Sequence, residues 1–202
     1  MSNIEPTIEL YPEHQKEYEM FEVERNLAPV VRTYDELRQA LEVANGRTRV
    51  ATSGYFNPPH KNHISNIVSS KYLPSEILDA HGLSHDIHLT VVVNGDWSAD
   101  NKLGGKTFLD AETRADIVRA FVGVDLVFIH QAAEEHQGSL IKLGLFDLFT
   151  KGGDRDFASL PQPEQDAISN TGIVMIGNVG YDKCEGTESE VSSSKLRAAA
   201  SA

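Results

Sequence analysis

The segment IHLTVVVN, Ile87–Asn94, constrains the fold more than any other stretch of the chain. It is a nearly continuous β-branched run, the pattern of a strand buried on both faces. Such a strand needs cover above and below, and the flanking sequence supplies it in alternation. Short strands are predicted at 49–53, 125–129, 146–150 and 173–176. Between and after them lie helix-length segments at 62–72, 111–121, 140–145 and 162–170, with a closing helix at 193–200. Strands separated by helices predict βαβ units, hence an α/β, Rossmann-like parallel sheet with helices on both faces. Ligands of such folds sit beyond the carboxyl ends of the strands. The polar punctuation falls there, at 53–63, 94–106 and 151–154.

Residues 1–47 read differently. Glu5, Glu9, Glu13, Glu17, Glu19, Glu22 and Glu24 form an acidic stretch with scattered apolar residues, ending near Pro29. Thr33 and Glu36 then have the spacing of a capping box, Leu37 and Leu41 recur at i, i+4, and Gly46 supplies a stop. This predicts a mostly helical N-terminal extension over 1–47, packed on a domain spanning 48–202.

Composition narrows the function classes. A chain of 202 residues can bury a sizeable core without staples. Its 18 Lys+Arg against 30 Asp+Glu give a net charge of −12 with no basic stripe, which argues against a nucleic-acid partner. Small anions remain admissible, because helix N-termini and a few local cations can hold a phosphate inside an acidic protein. The single cysteine, Cys184, excludes an intrachain disulfide and suits a reducing compartment. No apolar run approaches the ~18 residues of a membrane span, and MSNIEPTIELYPEHQ lacks the pattern of a signal peptide. The expectation is a soluble, cytoplasmic protein with no membrane partner.

Three segments carry chemistry. In GYFNPPHKNHI, residues 54–64, a strand runs into Gly54, Pro58 and Pro59 stiffen the loop, and His60 and His63 begin the next helix three residues apart. That spacing places both imidazoles on one helical face, beside an N-terminus that attracts anions. The pair suits a phosphate better than a metal, for which no third ligand stands nearby, and it equally suits structural bonds to backbone carbonyls. In VSSSKLR, residues 191–197, hydroxyls at a helix N-terminus with Arg197 one turn later make either a second oxyanion site or an ordinary cap. In KGGD, residues 151–154, paired glycines after a strand permit close approach to a ligand or simply a turn. His81, His85 and His88 lie together without a helix signal and predict no metal site, and His130 and His136 look incidental.

Taken together, these segments resemble the HxGH-motif nucleotidyltransferase superfamily of cytidylyltransferase-like proteins. It includes glycerol-3-phosphate cytidylyltransferases, the adenylyltransferase module of ADP-heptose synthesis, and the pantetheine-phosphate and nicotinamide-mononucleotide adenylyltransferases. The likeness runs in matching order over about residues 48–198: the histidine loop, VVVNGDWS at 91–98, LDAETRADIV at 109–118, VDLVFI at 124–129, KGGD and SSSxxR. Asn62 stands where the family motif carries its glycine.

The resemblance implies transfer of a nucleoside monophosphate from an NTP (CTP or ATP) to a small phosphorylated substrate, with release of pyrophosphate. It casts His60, His63, Lys61 and Arg114 as catalytic donors and cations toward the phosphates. Ser53, Gly54, Tyr55 and Phe56 would line the nucleotide with His60 and His63. Gly152, Gly153 and Asp154 would meet base or ribose, Ser192, Ser193, Ser194 and Arg197 would hold the leaving phosphates, and Lys151 and Val191 would join the nucleotide-binding set. Asn94, Asp96, Trp97, Lys102 and Lys106 would serve the acceptor, the lysines closing over it from a flexible loop at 100–105. Trp97 equally reads as packing, Asp96 as a turn cap, and the two lysines as solvated charges. Mg²⁺ is expected, bound mainly through the NTP phosphates rather than by a protein metal site. Family members often dimerise, which makes a homodimer one option. The alternative function is a catalytically silent nucleotide-binding sensor or assembly protein.

Overall fold

The structure is a computed structural model that describes residues 27–105, 107–153 and 155–180. It contains β1 (Val30–Val31), α1 (Tyr34–Ala40), a 3₁₀ turn (Leu41–Ala44), β2 (Thr48–Gly54), α2 (Lys61–Lys71) and α3 (Ser75–Ala80). After these come β3 (Ile87–Asn94), α4 (Asp96–Leu103), α5 (Ala111–Val118), β4 (Leu126–His130) and α6 (Gly138–Ile141). The described chain closes with β5 (Leu148–Gly152), a second 3₁₀ turn (Phe157–Ser159), α7 (Gln162–Thr171) and β6 (Val174–Val179).

The six strands form one sheet in the order β1-β4-β3-β2-β5-β6, every neighbouring pair parallel. This is the Rossmann-like arrangement the alternating pattern predicts. All eight residues of β3 are buried, as a strand with both faces covered requires. Successive strand residues point to opposite layers. Val50, Val91, Val93, Val127, Ile129 and Leu148 pack against Ile67 of α2, Leu78 of α3, and Ala115 and Val118 of α5. Ala51, Val92, Phe128 and Phe149 face the other way, toward Leu37 of α1, Leu140 and Ile141 of α6, and Ala167 and Ile168 of α7.

Two departures from the expected elements bear on the site. Of the flexible loop expected at 100–105, residues 100–103 are instead the end of α4, a correction to that reading. Polar composition suggests a loop there, but Gly95 turns the chain into a helix that buries Ser98 and Ala99 and stops at Gly104, φ 66°. The second concerns residues 27–47, which add an edge strand as well as a helix: Val30 and Val31 pair with Val127 and Phe128 of β4. The capping box of α1 is present, with the Glu36 N–H on Thr33 Oγ1 at 3.2 Å and the Thr33 N–H on Glu36 Oε2 at 3.0 Å. The expected closing helix at 193–200 and residues 1–26 lie outside the described residues.

The strand order sets where a ligand can enter. From β2 the chain builds outward through β3 and β4, then returns to the opposite side of β2 as β5. That reversal is the topological switch point of an open parallel sheet, and the general rule for such sheets assigns the ligand crevice to the carboxyl ends of the two strands that meet there, β2 and β5.

Candidate functional site

The crevice is bounded by Ser53 and Gly54 at the end of β2 and by Lys151 to Gly153 at the end of β5. After Gly54 the chain folds sharply back. Phe56 takes a φ of 51° and is buried, its ring lying so close over Gly54 that a Cβ there would come within 2.9 Å of it. Only glycine fits beneath that ring. The Phe56 ring in turn supports His63 at 4.8 Å between centroids, and His63 stacks against His60 at 3.9 Å. Both histidines therefore stand at the N-terminus of α2, as their spacing predicts.

The protonation of this pair follows from its contacts. His63 Nδ1 accepts the His60 backbone N–H at 3.3 Å, so the proton of the neutral ring lies on Nε2. Burial pushes the His63 pKa down to about 3, with the neighbouring His60 adding to the effect, and burial lowers His60 as well. The two rings are neutral N–H donors at the end of a helix, an arrangement that accepts an anion without a prior counter-charge.

Close packing holds α2 in this place. Asn66 Nδ2 donates to Thr52 Oγ1 at 2.8 Å, and Ser65 Oγ donates to the carbonyl of Gly180 at 2.8 Å. A Cβ on Gly152 would meet Asn66 Cγ at 2.9 Å, and one on Gly180 would meet the backbone of Ser65 and Asn66 at 2.6 Å. Within KGGD the glycines thus divide their work. Gly152 admits the helix, whereas Gly153, φ 76° with open space around it, makes the turn at the rim.

The cations are placed differently from the sequence expectation. Arg114, expected to reach phosphates, is fully buried and encloses its donors in the fold. Its Nη1 donates to the carbonyls of Tyr55 and Asn94 at 2.7 Å each, its Nε to Leu109 O at 3.0 Å, and its Nη2 to Asp96 at 2.7 Å. It clamps the ends of β2 and β3 together. Lys151 is also buried, between Glu164 Oε2 at 3.0 Å and Ser53 Oγ at 3.3 Å. Burial lowers its pKa, with Glu164 opposing the shift. Lys61 and Lys102 are on the exposed sides of α2 and α4.

Of the residues expected to serve an acceptor, Asn94 is buried and accepts from Gln137 Nε2 at 2.6 Å. Asp96 is engaged with Arg114, and Trp97 is half exposed on the first turn of α4. Tyr55 is half-buried, with its hydroxyl 3.5 Å from Ser98 Oγ. Lys106, Asp154, Val191, Ser192, Ser193, Ser194 and Arg197 lie outside the described residues. Sequence reading missed Glu164 and Gln137, which no motif marks. It also passed over His130, whose Nε2 meets Tyr34 Oη at 2.9 Å and Ser139 Oγ at 3.2 Å, tying α1 and α6 to the end of β4.

Among the described residues no group of three or more His, Cys, Asp or Glu could hold a metal ion, and no helix is long and apolar enough to cross a membrane. No family model and no curated protein matches the chain. A solved structure described as the lipopolysaccharide core biosynthesis protein from Thermoplasma volcanium GSS1 is similar to it, at 25% sequence identity over 67% of this chain and 98% of that one, with a TM-score of 0.49.

Proposed function

We propose that this chain transfers a nucleoside monophosphate from an NTP, ATP or CTP, to a small phosphorylated acceptor. The observation that carries the reading is the stacked, neutral His60–His63 pair at the N-terminus of α2, beside the crevice between β2 and β5. An acceptor phosphate oxygen attacks the α-phosphorus in line, the bond to the bridging oxygen breaks, and pyrophosphate leaves. No covalent enzyme intermediate is needed, so positioning and charge stabilisation suffice.

His63 Nε2–H and the His60 ring donate to the α- and β-phosphate oxygens as negative charge develops there. The positive end of the α2 helix dipole adds to this field. Lys61 stands at the same helix end. Ser53, Gly54 and Gly153 edge the nucleotide, with Tyr55 and Phe56 shaping the turn beneath it, and Asp154 serves the base or ribose. Ser192, Ser193, Ser194 and Arg197 hold the leaving phosphates, with Val191 in the nucleotide-binding set. The acceptor lies toward Asp96, Trp97, Lys102 and Lys106. Arg114 and Asn94 position the strand ends and touch neither substrate. Among the described residues Asp96 and Glu164 are engaged with cations; Mg²⁺ enters this reading as the NTP's own companion, neutralising phosphate charge.

Pyrophosphate release from the four common NTPs, with a panel of phosphorylated alcohols, sugars and nucleotides, tests the reading. His63→Ala should lower turnover by about a hundredfold or more, the effect of removing one donor worth roughly 2.7–4 kcal/mol in the transition state. A folded His63→Ala variant turning over like the native chain would refute the assigned role. Nucleotide binding without pyrophosphate release would leave a binding protein rather than an enzyme.

A further inference from the structure

We infer that Glu164 is a positioning residue for the nucleotide, acting through Lys151 to make the Ser53 hydroxyl a hydrogen-bond donor toward a phosphate oxygen in the β2–β5 crevice. The inference rests on the proposed nucleotide reading of that crevice. Glu164 lies in the first turn of α7 and is buried. Its Oε1 accepts the Gln137 backbone N–H at 2.8 Å and also lies 3.3 Å from Lys151 Nζ, while Oε2 is 3.0 Å from the same nitrogen. Gln137 then reaches Asn94 Oδ1. One polar chain thus links the ends of β3, β5 and β2 beneath the crevice.

A buried ion pair is poor evidence of a stabilising role, because well-packed apolar residues of similar volume commonly do as well. This pair differs from such a replacement in its effect on Ser53. An ammonium has donors and no acceptor, so Ser53 Oγ, 3.3 Å away, receives a hydrogen bond and turns its own proton elsewhere. Ser53 is half-buried, and among the described residues no other side chain or carbonyl takes that proton. Ser53 is the penultimate residue of β2, at the carboxyl end beside Gly54. Phosphate oxygens only accept, which matches a hydroxyl forced to donate.

Protonation of Lys151 controls the arrangement. A neutral amine carries a lone pair and can accept the Ser53 proton, which turns the hydroxyl inward and removes the donor from the crevice. The charged and titratable groups facing the amine are Glu164 from α7, which favours the ammonium, and Arg155 from the loop after β5, which opposes it. Ser53 from β2 and the Phe149 ring, 4.8 Å from Nζ, complete its surroundings. Nucleotide affinity should therefore fall as pH rises through the lysine's ionisation. Losing the Glu164 charge should move that fall to lower pH.

The test is calorimetric titration of the full chain with Mg·ATP and Mg·CTP from pH 6 to 10. It compares the native chain with Ser53→Ala, Glu164→Gln, Glu164→Asp and the pair replacement Lys151→Met with Glu164→Gln, which removes both charges and keeps an acceptor for the buried Gln137 N–H. Ser53→Ala and the pair replacement should each weaken the better nucleotide about tenfold, the ratio of one hydrogen bond to a charged group. Glu164→Gln should shift the pH midpoint of affinity down by about one unit or more, the displacement of losing an opposite charge within about 4–6 Å. Glu164→Asp should restore most of that shift. Native affinity in the folded pair replacement, or a Glu164→Gln pH profile superposed on the native one, would overturn the inference and leave the nucleotide reading standing. Failure of the native chain to bind either nucleotide would overturn both.

Discussion

Replacing Arg114 by methionine removes a guanidinium while keeping most of the side-chain volume, and the structure states what it leaves behind. The side chain is fully buried and donates to three main-chain carbonyls, those of Tyr55, Asn94 and Leu109, at 2.7–3.0 Å. Its contact with Asp96 is left out of the sum, because that carboxylate is 46% exposed and water can replace the arginine there. The contact with Asn94 is buried and those with Tyr55 and Leu109 are part-buried; a buried acceptor left unpaired costs about 1–3 kcal/mol, and a part-buried one less. Allowing for relaxation, the total is about 3–5 kcal/mol, the range for removing one partner of a buried charged contact. For a chain of this size that corresponds to a fall in melting midpoint of about 6–20 °C. Thermal unfolding of Arg114→Met by circular dichroism, without ligand, checks it. A cation held in place for a phosphate predicts the reverse: an unchanged midpoint and a weakened NTP titration. That pair of results would refute the clamp and return Arg114 to the ligand.

Two further perturbations test the neighbouring structure. Because the His63 pKa is pushed to about 3, folded and unfolded chains carry the same charge at this residue above about pH 6.5. Below that value the unfolded chain holds a proton that the fold excludes, so His63 costs about 1.4 kcal/mol of stability per pH unit as pH falls toward 3. Urea unfolding at pH 7 and pH 5 should show the native chain losing about 2 kcal/mol more than His63→Gln over that interval; equal losses would contradict the buried neutral ring. Gly152→Ala places a Cβ within 2.9 Å of Asn66 Cγ and should destabilise by about 1–3 kcal/mol. Adding Asn66→Ala should recover part of that loss in a double-mutant cycle, whereas simple additivity would show that α2 does not approach β5 as closely as described.

The sheet was legible because its signals are local. Ile87–Asn94 announces a doubly covered strand within eight residues, and Thr33 with Glu36 announces the start of α1 within four. Val30–Val31 was not legible, since two residues form a strand only because β4 offers a parallel edge beside them. The helix α4 was missed for a related reason. Its polar sequence has no strong apolar stripe, and what holds it is burial of Ser98 and Ala99 against the fold, a tertiary fact overriding a weak local preference.

The same distinction separates the histidines from the cations. His60 and His63 are three residues apart on one helix, so their meeting follows from helical geometry alone, and the stacked rings are where that spacing puts them. Arg114 and Lys151 are defined by partners distant in sequence. Arg114 meets a carbonyl 59 residues away, and Lys151 meets a serine 98 residues away. A charged residue in a motif therefore reads as a ligand contact by default, although burial can assign it to the frame that holds the contact. In KGGD the lysine is turned inward to Glu164, the first glycine admits α2, and the second makes the rim. The motif lies at the carboxyl end of β5, but which of its atoms turn inward is decided by strands and helices that no spacing within four residues can encode.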